Sequence, residues 1–290
     1  MGQPVPRNEP LEIPRDAYPM VRLTSEFFLR SIDLLTRVQG DKLISGLVFM
    51  AVWHDHMHDP GGAVGVRELA RRLNLPYETV RRHARELVRA GQCTVTREGI
   101  AAVPAVLKSR ANVEVMCKIY LNTERMLVEL TRAGLAKYEA PSRSAVRRGN
   151  LTRDQMVIAT ASTRRLLAGI RMLGDLWHGD LLRALVFTAI WTANVKHVTN
   201  SAPAVSQTVL PDDLRLPVSV LAISNSLRLP YETVRRHALA LEKAGICHRV
   251  RRQGLVVPAE AHRKLASGTV QAHGILTALL ADLRRAGLKA

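Results

Sequence analysis

The chain is expected to fold as a mainly α-helical protein in which one unit, two short helices closed by a small β-hairpin, is written twice and flanked by further helices. Three observations predict this. The stretch Leu75 to Ala84, LPYETVRRHA, recurs letter for letter as Leu229 to Ala238, a shift of 154 residues (229 − 75). The same shift aligns Val66 with Val220, Gly91 with Gly245, Cys93 with Cys247 and Pro104 with Pro258, so a whole unit has been duplicated. Around both copies apolar residues recur at helical spacing, and strand-like runs are confined to two short stretches.

Residues 1–20 carry Pro4, Pro6, Pro10, Pro14 and Pro19 among polar residues and read as a flexible, extended leader. From Arg22 to about Val38, Leu23, Phe27, Phe28, Ile32, Leu35 and Val38 give helical spacing, which Gly40-Asp41 breaks. Asp41 to about Asp55 is a second helix. It is apolar nearly all round, through Leu43, Leu47, Val48, Phe49, Val52 and Trp53, and is expected to be buried on most of its surface.

Gly65 to Leu73 reads as a short positioning helix, Asn74-Leu75-Pro76 as a turn, and Tyr77 to Ala90 as the helix that follows. Within it Val80, Ala84, Leu87 and Val88 fall at i, i+4, i+7 and i+8 and make one apolar stripe, so Tyr77, Thr79, Arg81, Arg82 and Arg85 point elsewhere. Gly91 suits the left-handed turn that ends a helix. Cys93 to Arg97, a Glu98-Gly99 turn and Ile100 to Val103 then form a hairpin with Arg97 near its tip. Ala105 to about Leu135 is helical, with a break near Asn112.

Residues 139–160, with Pro141, Gly149 and Asn150 among Arg143, Arg147, Arg148 and Arg153, read as a basic linker between a first domain, 21–138, and a second, 161–290. Leu181 to Val195 repeats the buried helix, since Leu185 to Trp191 matches Leu47 to Trp53 at a shift of 138 (191 − 53). The two shifts differ by 16 residues (154 − 138), which fall within Lys196 to Pro217, a Ser-, Thr-, Pro- and Asp-rich stretch expected to form a loop. The second hairpin runs from Cys247 to Val250, through Arg251-Arg252-Gln253-Gly254 at its tip, to Leu255 to Val257, and is the more basic of the two. Ala261 to Leu288 closes the second half as helix.

This succession of short helix, turn, longer helix and hairpin resembles the winged helix-turn-helix of bacterial transcription regulators. The resemblance implies two tandem winged helix-turn-helix domains, each with a β-hairpin wing and extra flanking helices, arranged as a pseudo-dimer. It assigns the pairing of the modules to Arg22 to Val38, Val113 to Arg132 and their second-half partners; the alternative is that each helix completes its own module's core. It also implies double-stranded DNA as the partner, read by the helix that starts at Tyr77 and by its copy at Tyr231.

The residue types suit that task. B-DNA's major groove admits one helix, and an arginine near the helix start can span guanine O6 and N7 with two N–H groups. Arg81, Arg82, Arg235 and Arg236 fit; neighbours diverge by about 100° on a helix, so one of each pair can read a base while the other grips phosphate. Thr79 and Thr233 can serve a phosphate or meet a thymine methyl. Tyr77 and Tyr231 can reach phosphate or pack on the positioning helix. His83 and His237 can donate to phosphate when protonated or act as spacers. Glu78 and Glu232, near a helix N-terminus, favour the macrodipole. Arg97, Arg251 and Arg252 place charge at the wing tips. Identical reading helices predict two similar half-sites, inverted if the modules pack about a twofold axis and direct if head to tail.

Composition agrees. The 290 residues carry a formal net charge of +17 and a pI near 10.8, the electrostatic footprint of a polyanion binder, with nucleic acid ahead of a membrane surface. The apolar run Leu43 to Trp53 falls short of the roughly 20 residues that cross a bilayer. Nothing at the N-terminus has the order of a secretory signal, and the three cysteines read as buried and reduced, so a cytoplasmic, nucleoid-associated location is expected. His54 and His58, one turn apart, invite a metal, but the second half has Thr192 and Lys196 there, and a helix end is the better reading. No phosphate loop or nucleophile motif points to an enzyme, and no metal or cofactor is expected. The reading is a sequence-specific regulator; the alternatives are a replication initiator or an architectural nucleoid protein. Homodimerisation and contact with RNA polymerase or another regulator stay open.

Overall fold

A computed structural model describes residues 13–59, 62–141, 146, 149–198 and 209–290. Among these are twelve α-helices and two antiparallel two-stranded hairpins, the mainly α architecture expected. The first half runs α1 (Ala17–Val38), α2 (Leu43–His58), α3 (Val66–Leu73), α4 (Tyr77–Arg89), β1 (Cys93–Val95), β2 (Ile100–Ala102), α5 (Pro104–Leu107) and α6 (Arg110–Arg132). The second repeats it as α7 (Arg153–Leu176), α8 (Leu181–Val195), α9 (Val220–Leu227), α10 (Tyr231–Lys243), β3 (His248–Val250), β4 (Gly254–Val256), α11 (Ala259–Lys264) and α12 (Ala266–Arg285).

Two boundaries need correction. The leader expected over residues 1–20 overlaps α1, where Ala17, Tyr18, Pro19 and Met20 are helical and buried. Pro19 is tolerated because it lies in the first turn, where an N–H has no intrahelical acceptor to lose. Residues 1–12 lie outside the described residues. The linker expected over 139–160 ends early, because α7 starts at Arg153 behind a capping box: the Thr152 hydroxyl accepts from Gln155 N, and the Gln155 side chain accepts from Thr152 N. Arg143, Arg147 and Arg148 of that stretch lie outside the described residues. The break expected near Asn112 falls at Ser109, which caps α6 by accepting from Asn112 N.

The halves are joined reciprocally. α1 packs on α8 and α9 of the second half, and α7 packs on α2 and α3 of the first. α6 and α12 each contact both α1 and α7, closing a four-helix arrangement filled by Phe27, Ile119, Tyr120, Leu127, Ile158 and Leu280. A second apolar cluster is continuous through both repeated units: Val80, Ala84 and Leu87 of α4 and Val234, Ala238 and Leu241 of α10 share it with Leu47, Leu166, Ile170 and Leu185. Such mutual contact, patch i on copy j and the reverse, is the pattern of an isologous interface.

The two seams have diverged in charge. Asn74 and Arg228 are copies of one position (228 − 74 is 154), and both end their short helix in the left-handed region, at φ 47° and 52°. Asn74 Nδ2 donates to Asp175 at 2.8 Å. Arg228 donates from Nε to Asp33 at 2.8 Å and from Nη1 to Asp41 at 3.2 Å. The position that is Asp175 in one half is Arg37 in the other (175 − 37 is 138), so the two seams are held by different polar pairs.

The expected loop 196–217 is described only at its ends; residues 199–208 lie outside the described residues. Its far end is pinned. Asp212–Leu214 forms a 3-10 turn, the Asp212 carboxylate accepts from Ala259 N at 2.6 Å, and the buried Arg215 guanidinium donates to Leu210 O (2.7 Å) and Val257 O (2.7 Å). Asn194, fully buried on α8, bonds Leu216 O, Leu255 O and Val257 N, which ties this segment and the second hairpin to one helix.

Candidate nucleic-acid interface

Each copy of the repeated unit is assembled from three local decisions. Asn74 or Arg228 ends the first helix in a left-handed turn, and Pro76 or Pro230, with extended backbone, starts the next. The apolar stripe then docks α4 through Val80, Ala84 and Leu87, and α10 through the matching Val234, Ala238 and Leu241. The opposite face is thereby forced outward. Gly91 and Gly245, both at φ +68°, turn the chain into the hairpins as expected.

Each hairpin is held to the residue that lies two positions before the short helix. Val64 and Ile100 exchange two backbone hydrogen bonds (2.9 and 3.0 Å), as do Val218 and Leu255 (3.1 and 2.8 Å). Glycine is required beside that contact: a Cβ on Gly99 would stand 2.3 Å from Val64 O, and one on Gly254 would stand 2.3 Å from Val218 O. The tips are therefore fixed relative to α3 and α9. Arg97 is exposed in the first, and Arg251 and Arg252 are exposed in the second.

Of the residues proposed from sequence, most lie on one outward face per copy. Tyr77 and Tyr231 are 42% and 49% exposed, and Arg82, Arg85 and Arg236 are exposed. Thr79 and Thr233 are half-buried beside them. Arg67 lies over the Tyr77 ring at 6.0 Å, so this tyrosine both packs on the positioning helix and stays accessible. Arg81 is held by Glu78 at 2.5 Å and Arg235 by Glu232 at 2.6 Å, each one turn back. The hydrogen bond from Arg235 keeps the Glu232 carboxyl below its ordinary range. These pairs are exposed and easily exchanged for another acceptor.

His83 and His237 depart from their expected place on that face. His83 Nδ1 lies 2.9 Å from Ser45 Oγ of α2, and His237, 9% exposed, has Nδ1 3.8 Å from Asp180 Oδ1 at the start of α8. Each is the residue before the stripe alanine, and the helix rotation swings it toward the supporting helix. Burial lowers both pKa values from the ordinary histidine range, so the rings are uncharged spacers at neutral pH.

The structure adds one residue that the sequence reading passed over. Arg89 shares a shallow groove with Glu78, Thr79, Arg81, Arg82 and Arg85. The signal was the run Arg81, Arg85, Arg89 at i, i+4 and i+8. In the second copy these last two positions are Leu239 and Lys243, while Arg251 and Arg252 strengthen the wing. The shared decapeptide thus sits between flanks charged in different places.

Asp55 accepts two hydrogen bonds from Arg72 (2.6 and 2.7 Å), and the described residues contain no group of three or more His, Cys, Asp or Glu placed to hold a metal; the His58 side chain lies outside them. Cys93, Cys117 and Cys247 are buried and unpaired. Among the described residues no helix is long and apolar enough to cross a membrane. No family model, curated protein or solved structure matches the chain.

Proposed function

We propose that the chain is a sequence-specific transcription regulator of duplex DNA, built as two tandem winged helix-turn-helix domains in a pseudo-dimer. One observation carries this reading: an identical decapeptide presents the same side chains outward from two docked helices, each beside a basic hairpin tip. A net charge of +17 supports a polyanionic partner, and paired arginines suit guanine edges. Protein contact alone would need neither.

The reciprocal seams support an inverted arrangement of half-sites. One chain then acts as a covalently joined dimer, and binding of the first module raises the effective concentration of the second. The half-sites share a core read by Arg81, Arg82, Arg235 and Arg236. They differ at their edges, where Arg85 and Arg89 face one and Arg251 and Arg252 the other.

Selection of the full chain on a pool of random duplexes tests the proposal. Enrichment of two similar short half-sites in inverted order is expected. A single enriched element, or none, overturns it; none would leave an architectural protein that binds without preference.

A further inference from the structure

The shared decapeptide makes the two outward faces nearly the same, and one position breaks the match. In the first copy Glu78, Thr79, Arg81, Arg82, Arg85 and Arg89 line the shallow groove along α4. At the shift of 154 the second copy keeps Glu232, Thr233, Arg235 and Arg236, and Lys243 keeps the charge of Arg89. Only Leu239, which stands where the first copy has Arg85 (239 − 85 is 154), changes chemical class.

Leu239 is not turned into the core. It is 36% exposed, one turn beyond Arg235 and one turn before Lys243, which are also exposed. Val234, Ala238 and Leu241 already fill the docked side of α10. An isolated exposed leucine is ordinary on a protein surface. This one is set among Arg235, Arg236 and Lys243, on the face that carries the matched arginines, so a polyanion laid on that face covers it. There it forgoes the phosphate or guanine contact open to Arg85, while Arg251 and Arg252 at the wing tip keep charge on the second copy.

We infer that Leu239 is a specificity-determining residue, through which the second half-site requires a thymine that the first does not. The inference rests on the DNA reading above. Among the groups that base pairs present in the major groove, the thymine 5-methyl is the apolar one, and an alkyl side chain that packs on it removes both from water. Thr79 and Thr233 occur in both copies, so any methyl contact they make is common to the two half-sites. The contact at Leu239 is not. Half-sites that agree at the core and differ at this base pair fix which half of the chain sits on which half-site.

Deoxyuridine in place of thymidine removes the methyl and leaves base pairing intact. The half-site held by the second half is the one whose protection Arg235→Ala weakens. Replacing its thymidines in the selected duplex should weaken binding of the full chain roughly fourfold more than the same replacement in the other half-site, the value of one buried carbon group. Leu239→Arg should cancel that excess and, in a new selection, return half-sites that agree at this position. Arginine is accepted at the same place in α4, so the melting temperature should hold. A second half-site without thymine, equal losses from the two replacements, or an excess that survives Leu239→Arg overturns the inference and leaves the DNA reading standing. No enriched duplex overturns both.

Discussion

Changing Arg81 and Arg235 together to alanine is expected to reduce affinity for the selected duplex by roughly 5- to 150-fold for each guanine that is no longer held by two hydrogen bonds. Affinity for random duplex should fall far less, because Arg82, Arg85, Arg236 and the wing arginines still meet phosphate. Folding should be untouched, since both side chains project outward and pair with exposed Glu78 and Glu232. Fluorescence anisotropy on both duplexes at one fixed salt concentration gives the comparison. An equal drop on both would mean that these arginines hold the backbone and read nothing.

The second large effect is on acid stability. His262 lies beneath Trp191 with Nε2 3.0 Å from Thr269 Oγ1, and burial, aided by Arg215 and Arg263, lowers its pKa from 6.5 to about 4. Below pH 6.5 the unfolded chain takes up a proton that the folded chain refuses, so stability is present above that pH and is lost as the pH falls toward 4. His83 and His237, also lowered by burial, act in the same direction. The carboxylates titrate later: Glu68, bonded by Arg71 and Arg72, is held near 2, so its contribution is lost only below about 4.5. Urea titrations at pH 7.5 and 5.0 should show the wild type losing about 2 kcal/mol more than His262→Gln over that interval. Equal losses would mean that this imidazole titrates normally.

Much of the candidate surface was legible because a repeat and a helical period carry it. Val80, Ala84 and Leu87 dock as the spacing predicted, and the outward positions of Tyr77, Arg81, Arg82 and Arg85 follow from geometry alone. The histidines were not legible, because position 83 lies at the edge of the stripe and only the presence of Ser45 opposite shows which way it turns. α7 was hidden by composition: Arg153, following Gly149 and Asn150, made its first two turns look like linker, although Thr152 and Gln155 carried the spacing of a capping box. Arg215 is the limiting case. An arginine in a polar loop reads as a surface charge, and the carbonyls of Leu210 and Val257 that bury it come from residues that only the fold brings together. The interlocked seams likewise depend on pairs such as Asn74 with Asp175 and Arg228 with Asp33, far apart in sequence, which no local pattern encodes.

One chain is expected to set two surfaces with an identical core on one duplex at once. Hydroxyl-radical footprinting of the full chain on its selected duplex examines this directly. Two protected tracts on one face are expected, centred about 10 base pairs apart or a multiple of that, with Arg235→Ala weakening only the tract bound by the second half at a protein concentration that saturates the first. A single tract, or two tracts that weaken together, would contradict it.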